Sequence, residues 1–225
     1  MRRIEWKISD GLVNYEDALR VMNDRVELIY TGKASELVWL LQHPPIYTAG
    51  TSAHPQDLLD KTRFPTYKTG RGGQYTYHGP GQRVAYVMLD LRHFRQDVRQ
   101  YITYLETWII QTLSKFQIQG KRGMDRVGIW VNREDLGEPA RKDKIGAIGV
   151  RIRRWITLHG VSINISSDLE HFSGIVPCGL RGEGVTSFKD LGSKVSMAEV
   201  DRELRAEFVR VFSAEGTIEL EDSVS

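Results

Sequence analysis

The stretch from residue 144 to residue 166, KIGAIGVRIRRWITLHGVSINIS, constrains the fold more than any other part of the sequence. Apolar side chains alternate with polar or small ones along it, which is the period-2 pattern of strands that bury one face. The pattern predicts two or three antiparallel strands joined by tight turns. Their exposed face would carry Arg151, Arg153 and Arg154. The chain therefore contains a sheet that has to bury one side.

The rest of the chain supplies further strands with a few helices between them. Strands are predicted over residues 4–9, 36–42, 83–91 and 127–131, and helices over about 14–30, about 97–116 and from Ser196 onward. Strands lead and pair as hairpins without a regular alternation of strand and helix, so we predict an α+β fold. We expect one domain over residues 1–215, with a mixed β-sheet and flanking helices, and a flexible tail over residues 216–225.

Two finer expectations concern the middle of the chain. The helix over about 97–116 carries apolar residues at helical spacing, from Val98 to Phe116, and this stripe is expected to pack in the core. The charged run NREDLGEPARKD, residues 132–143, is predicted to be a loop. These expectations place a charged connection directly before Lys144.

Overall charge and cysteine content argue against several classes of protein. The 31 basic and 29 acidic side chains nearly cancel, which does not favour a nucleic-acid binder. A single cysteine cannot form an internal disulfide, so folding does not require an oxidising compartment. No run approaches the roughly 18 apolar residues of a membrane span, and the first residues, MRRIEWKISDG, lack the apolar run of a signal peptide. We therefore expect a cytoplasmic protein with neither a membrane nor a nucleic-acid partner.

A glycine-dense segment, TGRGGQYTYHGPGQ at residues 69–82, is a candidate ligand-contacting loop. Glycine lets a backbone approach a ligand closely and leaves its N–H groups accessible. Arg71 and His78 lie in the same segment. It resembles a phosphate cradle in outline, but its spacing matches neither a P-loop nor a dinucleotide fingerprint. Composition alone leaves a ligand-contacting loop and a wide turn between two strands equally open.

The one cysteine, Cys178, lies between Pro177 and Gly179 in the segment GIVPCGL. Proline fixes its own backbone angle and glycine relieves crowding, so such a loop can hold a thiol in a fixed, open position. A lone thiol is most often a small buried hydrophobe, yet this context favours a nucleophile. A free thiol with a pKa of about 8.5 is only a few per cent thiolate at neutral pH, so it needs a nearby base or cation. The candidates are Lys144, His78, His159 and His171.

Lys144 lies where the charged run meets the glycine-spaced strand KIGAIGV. A lysine at such a boundary can be partly desolvated and used in proton transfer. As one lysine beside Lys142 and Asp143, it can equally be a solvated loop end. His159 in the segment LHG is more often a hydrogen-bonded core histidine than a catalytic base. One cysteine and scattered histidines give no recognised metal-ligand spacing, so no metal is expected.

Three segments together resemble the lipoate-protein octanoyltransferase family: TGRGGQYTYHGPGQ, KIGAIGVRIRRWITLHGVSINIS and GIVPCGLRGEGVTSF. They follow one another in the family's order and spacing, and HPPIYTAG near the start fits the same family. Three ordered motifs are far more specific than any one of them. The resemblance implies the fold of the catalytic domain of biotin and lipoate ligases, a single α+β domain whose mixed sheet lines a substrate tunnel.

The resemblance also implies an activity. The family moves an octanoyl group from octanoyl-acyl carrier protein to a lysine of a lipoyl domain, the first step of endogenous protein lipoylation. Acceptors would be the lipoyl domains of 2-oxoacid dehydrogenase E2 subunits and the glycine cleavage H protein. Cys178 would carry the octanoyl group as a thioester, and Lys144 would be its dyad partner. No cofactor is implied, and we expect a monomer.

Three stretches match the family's substrate-contacting segments. In this sequence they are Arg71, Gly72, Gly73, Gln74, Tyr75, Thr76, Tyr77 and His78, then Ala147, Ile148 and Gly149, then Gly160, Val161 and Ser162. Ser162 stands where alanine is common in the family, so its hydroxyl changes one expected contact.

Other interpretations stay open at this point. An ATP-dependent ligase of the same fold, acting on free lipoate or biotin, needs no nucleophilic cysteine, and the sequence has no matching nucleotide motif. A non-catalytic module that binds lipoyl domains or acyl carriers would tolerate loss of Cys178. An amidotransferase that moves octanoyl between lipoyl domains differs only in its donor. Arg151, Arg153 and Arg154 could help to dock an acidic carrier protein, or could form a solvated strand face.

Overall fold

The computed structural model describes residues 2–94, 96–123, 127–176 and 184–223, and these ranges form one α+β domain. Its strands, in chain order, are β1 (Arg2–Leu12), β2 (Glu36–Gln42), β3 (Ile46–Ala49), β4 (Thr66–Lys68), β5 (Tyr75–His78), β6 (Gln82–Met88), β7 (Lys121–Arg122), β8 (Ile129–Arg133), β9 (Glu138–Arg153), β10 (Ile156–Asn164), β11 (Gly184–Val185) and β12 (Ile218–Asp222). Its helices are α1 (Tyr15–Tyr30), α2 (Val98–Ser114) and α3 (Met197–Phe212).

The strands form a large mixed sheet and a small one. The large sheet has the order β12-β1-β2-β6-β10-β9-β8-β7, with β11 added beside β9. β1 runs parallel to β2 and β12, whereas the pairs from β2–β6 to β8–β7 are antiparallel. The small sheet has the order β4-β3-β5. This mixed sheet with flanking helices confirms the predicted fold class.

The helices begin where their capping residues predict. Asp97 accepts hydrogen bonds from the backbone N–H groups of Arg99 and Gln100 at the start of α2. Ser196 and Glu199 form a reciprocal capping box at the start of α3, which satisfies two backbone donors that a helix start leaves unpaired. Asn14 occupies the position before α1 without a side-chain cap bond.

The two faces of the large sheet are covered by different elements. Helices α2 and α3 cover one face, where Trp108 and Phe208 pack against Trp6 of β1. Helix α1 covers part of the other face through Met22, whose neighbours include Trp39. The small sheet lies beside α1, with an aromatic cluster of its own. Successive residues of a strand point to opposite faces of the sheet. The strands therefore contribute side chains both to the core beneath α2 and α3 and to the opposite face.

The charged run at residues 132–143 is not a loop, and that prediction is wrong. Residues 132 and 133 belong to β8, a short 3-10 turn spans Glu134–Leu136, and β9 begins at Glu138. Asn132 pairs with Lys142 across the two strands. The charges are compatible with strands because buried partners neutralise them, and Asp143 forms ion pairs with both Arg133 and Arg141.

Three other sequence expectations also change. The C-terminal segment predicted to be a flexible tail contains β12, whose Ile218 is buried against the core. It pairs parallel with β1, so β12 rather than β1 forms this edge of the sheet. Val98 does not join the core stripe of α2: it lies in the first turn and is 42% exposed. The glycine-dense segment is not a plain turn, since it contains β5.

Candidate functional site

A groove lies between the small sheet and the face of the large sheet opposite α2 and α3. Together with the open space at its mouth, it spans about 510 Å³. Most of the predicted substrate-contacting residues line it: Arg71, Gly73, Gln74, Tyr75, Thr76, His78, Ala147, Ile148, Gly149, Gly160, Val161 and Ser162. Three motifs far apart in the sequence therefore meet at one surface.

Two predicted contact residues do not line this groove. The backbone N–H of Gly72 donates to the carbonyl oxygen of Val150 at 2.9 Å, which ties the glycine segment to β9. Tyr77 is buried in the aromatic cluster of the small sheet, and its hydroxyl lies 2.8 Å from Nδ1 of His171. Both residues support the walls of the groove from behind.

Four lining residues were not predicted as contacts: Tyr15, Val84, Tyr86 and His159. Val84 and Tyr86 alternate along β6 with residues that face the helical core, so their side chains point into the groove. Tyr15 arrives from the first turn of α1. The alternation of side chains along residues 83–91 could have predicted that Val84 and Tyr86 share one face of β6. Nothing in the sequence indicates that Tyr15 lines the same groove.

Arg71 holds the glycine segment against the small sheet. Its buried guanidinium donates to the backbone oxygen of Thr48 at 2.8 Å and to the Thr48 hydroxyl at 2.7 Å. It also donates to the carbonyl oxygens of Gln74 and Gly72, each at 3.0 Å. These acceptors are neutral, so the cation adds a positive field to the groove while its N–H groups stay satisfied.

Glycine sets the width of the groove at two points. A Cβ at Gly149 would lie 3.0 Å from Cδ of Arg71, closer than side chains normally approach. A Cβ at Gly160 would overlap the carbonyl oxygen of Ala85 on the neighbouring strand. The absent side chains let β10 approach β6, and let β9 approach the Arg71 segment.

The histidines around the groove are held neutral. Burial, with smaller contributions from nearby cations, lowers the pKa of His78 to about 3 and that of His159 to about 4. Burial lowers the pKa of His43 to about 4. His43 Nδ1 lies 2.6 Å from the carbonyl oxygen of Val13, which can only accept, so Nδ1 donates and Nε2 accepts from the Tyr86 hydroxyl at 2.7 Å.

A second, smaller cavity adjoins the groove, and Lys144 is one of its lining residues. Thr76, Ala147 and Ser162 line both spaces. The other residues around the smaller cavity are Gln82, Lys144, Gly146, Asn164, Phe172 and Val185. Ser162 therefore lies where the groove and the Lys144 cavity adjoin.

Lys144, beside the smaller cavity, is buried, with 6% of its surface exposed. Its Nζ lies 4.6 Å from the centre of the Trp130 ring, a cation–π distance. On the other side of β9, Val185 of β11 pairs with Lys144, and the N–H of Thr186 donates to the Lys144 carbonyl oxygen at 2.9 Å. The solvated loop end that the sequence left open is excluded for this lysine.

Cys178 lies outside the described residues, in the segment 177–183. The residues that flank this segment are described. The N–H of Val176 donates to the carbonyl oxygen of Asp57 at 2.8 Å, and Gly184 pairs with Asp143. Cys178 therefore comes a few positions before a strand that runs beside Lys144.

The three histidines considered as partners of the thiol have other contacts. His78 Nδ1 lies 2.7 Å from Oε1 of Gln82. His171 belongs to the aromatic cluster, between Phe64 and Tyr77, at centroid distances of 4.8 and 5.1 Å. His78 and His159 are poor bases near neutral pH, because the pKa of each is far below 7. Lys144 is the candidate partner that lines the smaller cavity.

The arginines of the β9–β10 hairpin do not act as one patch. Arg153 and Arg154 both pair with Glu27 of α1, at 2.8 and 3.2 Å. Arg151 instead packs over Gly70 at the start of the glycine segment, where a Cβ would overlap its guanidinium. Arg151 is thus the member of the three that packs against the glycine segment.

The described residues contain no cluster of three or more His, Cys, Asp or Glu side chains that could hold a metal ion. Within the same ranges, no helix combines the length and apolar character needed to cross a membrane.

Comparison with known proteins gives a consistent result. The sequence profile of the lipoyl protein ligase A/B catalytic domain matches residues 14–209. An octanoyltransferase from Paramagnetospirillum magneticum is 57% identical over 212 residues, which cover 94% of this chain and 98% of the relative. An octanoyltransferase from Parvibaculum lavamentivorans is 59% identical and covers 92% of both chains.

A solved structure shares the fold at much lower identity. The bipartite lipoate protein ligase of Thermoplasma acidophilum, described together with its E2 lipoyl domain, superposes with a TM-score of 0.70. The alignment covers 100% of this chain and 88% of that one, at 15% identity. At that identity the likeness concerns the fold, and it confirms the predicted resemblance to lipoate ligases.

Proposed function

The chain belongs to the lipoyl protein ligase A/B catalytic domain family, and we propose that it transfers octanoyl from octanoyl-acyl carrier protein to the acceptor lysine of a lipoyl domain. Its curated relatives establish an acyltransferase that moves octanoyl groups in protein lipoylation. The donor, the acceptor lysine and the covalent intermediate belong to the proposal. The acceptors are the lipoyl domains of 2-oxoacid dehydrogenase E2 subunits and the glycine cleavage H protein.

One observation supports the proposal: the groove and the cavity of Lys144 share Thr76, Ala147 and Ser162 in their walls. A groove whose histidines are neutral suits an apolar acyl chain, because desolvating charged side chains would oppose binding. A lysine at its end suits proton transfer at the carbonyl group of that chain. In this proposal the groove recognises the acyl chain, and Lys144 transfers the proton beside it.

In the first step, the Cys178 thiolate attacks the carbonyl carbon of the donor thioester. A new carbon–sulfur bond forms, and the bond to the carrier's sulfur breaks. Lys144 receives the Cys178 proton and returns it to the departing carrier thiolate, so the exchange is balanced. Covalent catalysis of this kind divides the transfer into two easier steps, and a nearby cation favours the thiolate.

In the second step, the neutral acceptor amine attacks the octanoyl-cysteine thioester. The amide bond forms as the bond to Cys178 breaks, and Lys144 passes the amine's proton to the departing thiolate. An amide is more stable than a thioester, so the sequence runs downhill without ATP. We propose that the chain works as a cytoplasmic monomer, without a cofactor.

A transfer assay with defined donors tests this function. The protein is incubated with a lipoyl domain and octanoyl-acyl carrier protein, without ATP, and the intact acceptor mass is measured. We expect the acceptor to gain one octanoyl group, and we expect no gain with Cys178→Ala. Free octanoate with ATP and magnesium should give no product, which separates this activity from the ATP-dependent ligase.

Two further arms separate the remaining alternatives. An octanoylated lipoyl domain offered as sole donor should be used much more slowly than octanoyl-acyl carrier protein. Faster transfer from the lipoyl domain would favour the amidotransferase interpretation. Full transfer by Cys178→Ala would contradict the covalent route, and binding without transfer by the wild type would favour a non-catalytic module.

A further inference from the structure

A buried ion cluster lies behind the candidate site, on residues that the groove does not use. Arg133 at the end of β8 has a side chain that is 5% exposed, and it contacts three carboxylates. Its guanidinium lies 2.7 Å from Asp143, 2.9 Å from Asp190 and 2.9 Å from Asp135. The hydrogen bonds that Arg133 donates to Asp135 and Asp143, with the Asp190 charge, raise the pKa of Arg133, so it stays cationic.

One side of the cluster fixes the backbone directly before Lys144. Asp143 is fully buried and receives Arg133 on one carboxylate oxygen and Arg141, at 3.0 Å, on the other. The same carboxylate packs against Gly184, where a Cβ would overlap Oδ1 of Asp143. Asp143 therefore ties β9 to β11 by its side chain as well as by backbone pairing.

The other side of the cluster fixes the chain directly after β11. Asp190 accepts a hydrogen bond from the Thr186 hydroxyl at 2.7 Å while it pairs with Arg133. The Thr186 N–H in turn donates to the Lys144 carbonyl oxygen at 2.9 Å. Arg133 thus joins the strand that carries Lys144 to the chain that follows the Cys178 segment.

We infer that Arg133 is a positioning residue for acyl transfer, which holds Lys144 and the strand after the Cys178 segment as one rigid unit through Asp143 and Asp190. It touches no reacting atom, so it is not a catalytic residue. The inference rests on the proposed function, because it assigns Arg133 to the geometry of the Lys144–Cys178 pair.

The energetics of buried charges favour a role in geometry. Replacing a buried ion cluster by well-packed apolar side chains is often neutral or stabilising, so such a cluster is weak evidence for stability as such. The planar guanidinium offers N–H groups in fixed directions, which sets where each carboxylate lies. Here those directions lead to the two chain segments that flank the proposed reacting pair.

The test measures the reactivity of Cys178 with iodoacetamide as a function of pH. The chain has one cysteine, so the mass gain reports one thiol. In the wild type we expect thiolate to form below the ordinary thiol pKa of about 8.5. Lys144→Ala should raise the alkylation midpoint towards that value, and Arg133→Gln should move it in the same direction. Arg133→Gln should also slow acylation by octanoyl-acyl carrier protein about tenfold or more, with KM for the donor little changed.

Arg83→Gln is a matched control. Arg83 forms a similarly buried pair with Asp201, at 2.7 Å, but it connects β6 to α3 on the helical side. It should lower stability as Arg133→Gln does, yet leave the Cys178 midpoint at the wild-type value. A shift in this control equal to that of Arg133→Gln would mean that general loosening moves the thiol, and it would overturn the inference.

Asp190→Asn keeps the test decisive if Arg133→Gln does not fold. The Asp190 side chain is 37% exposed, so the change is mild, yet it weakens the link from Arg133 to Thr186. A midpoint shift in this variant supports the inference. The inference is overturned if Asp190→Asn and any folded Arg133→Gln keep the wild-type midpoint while Lys144→Ala shifts it. That result leaves the proposed function standing. Identical midpoints in wild type and Lys144→Ala would instead remove the dyad, and the inference with it.

Discussion

The groove and the region behind Lys144 belong to one site but are built from opposite chemistry. Around the groove, burial keeps His43, His78 and His159 neutral, and Arg71 is bound by uncharged oxygens. Behind Lys144, Arg133 is surrounded by carboxylates. An apolar chain needs a surface that costs little to desolvate, whereas a reacting pair needs directional contacts that fix distances. Substitutions should therefore alter recognition of the acyl chain and alignment of the proposed reacting pair separately.

The largest effect on activity should come from a larger side chain where the groove adjoins the Lys144 cavity. Ala147 lines both cavities, so Ala147→Leu should reduce kcat/KM for an octanoyl donor. Overpacking costs about 1–3 kcal/mol, which corresponds to about 5- to 150-fold. A butanoyl donor should be less affected, and Ala147→Ser should stay near wild type. Equal losses for the two donors would show that the acyl chain does not lie at this position.

The neutral histidines should give the fold a characteristic dependence on pH. Each has a lower pKa in the folded chain than the ordinary value of about 6.5, so the unfolded chain binds more protons as pH falls. Their contribution is complete above about pH 6.5 and is lost as pH falls towards about 4. The free energy of unfolding should fall by up to about 1.4 kcal/mol per pH unit for each histidine.

His159→Asn isolates one of these contributions. His159 has a φ of 60°, a left-handed conformation that asparagine tolerates. Urea unfolding between pH 7 and pH 5 should show a shallower slope in this variant than in the wild type. An unchanged slope would mean that His159 does not take up a proton on unfolding, and it would weaken the contrast between the two regions.

The smallest effect should come from the hairpin arginines outside both regions. Arg153 and Arg154 are held by Glu27, and exposed ion pairs of this kind contribute little. Changing both to serine should leave KM for the carrier protein, at low salt, within about twofold. Arg151→Ser should have the larger effect of the two variants, because Arg151 packs against the glycine segment at Gly70. A strong effect of the double change would restore the hypothesis of a three-arginine docking surface.

Local patterns in the sequence predict the elements well where each pattern is self-contained. The alternation after residue 144 and the helix start at Ser196 each depend on neighbouring residues, and each is confirmed. The strand that begins at Glu138 was missed because a run of charges is typical of a loop. The buried charge of Asp143 in this strand is neutralised by Arg133, which lies on another strand. The edge strand at Ile218 was missed because its pairing partner is at the other end of the chain.

The same distinction applies to the candidate site. The glycine segment and the stretch after Lys144 were identified from their residues and from a family resemblance, and most of them line the groove. Tyr15 was missed because its place beside β10 depends on how α1 packs. The Arg133 cluster was missed because its members come from three separate segments. Contacts of this kind depend on tertiary packing, which residue spacing does not encode.

The central claim is that Lys144 and Cys178 act as a pair at the end of the acyl groove. The most direct test incubates the protein with octanoyl-acyl carrier protein alone, without ATP, and follows the intact mass over time for the wild type, Cys178→Ala, Lys144→Ala and the exposed neighbour Lys142→Ala. The account predicts a gain of one octanoyl group that hydroxylamine removes. The gain should be absent in Cys178→Ala, about 10²- to 10⁴-fold slower in Lys144→Ala, and unchanged in Lys142→Ala. Transfer to a lipoyl domain without any such adduct, or equal acylation rates with and without Lys144, would contradict it.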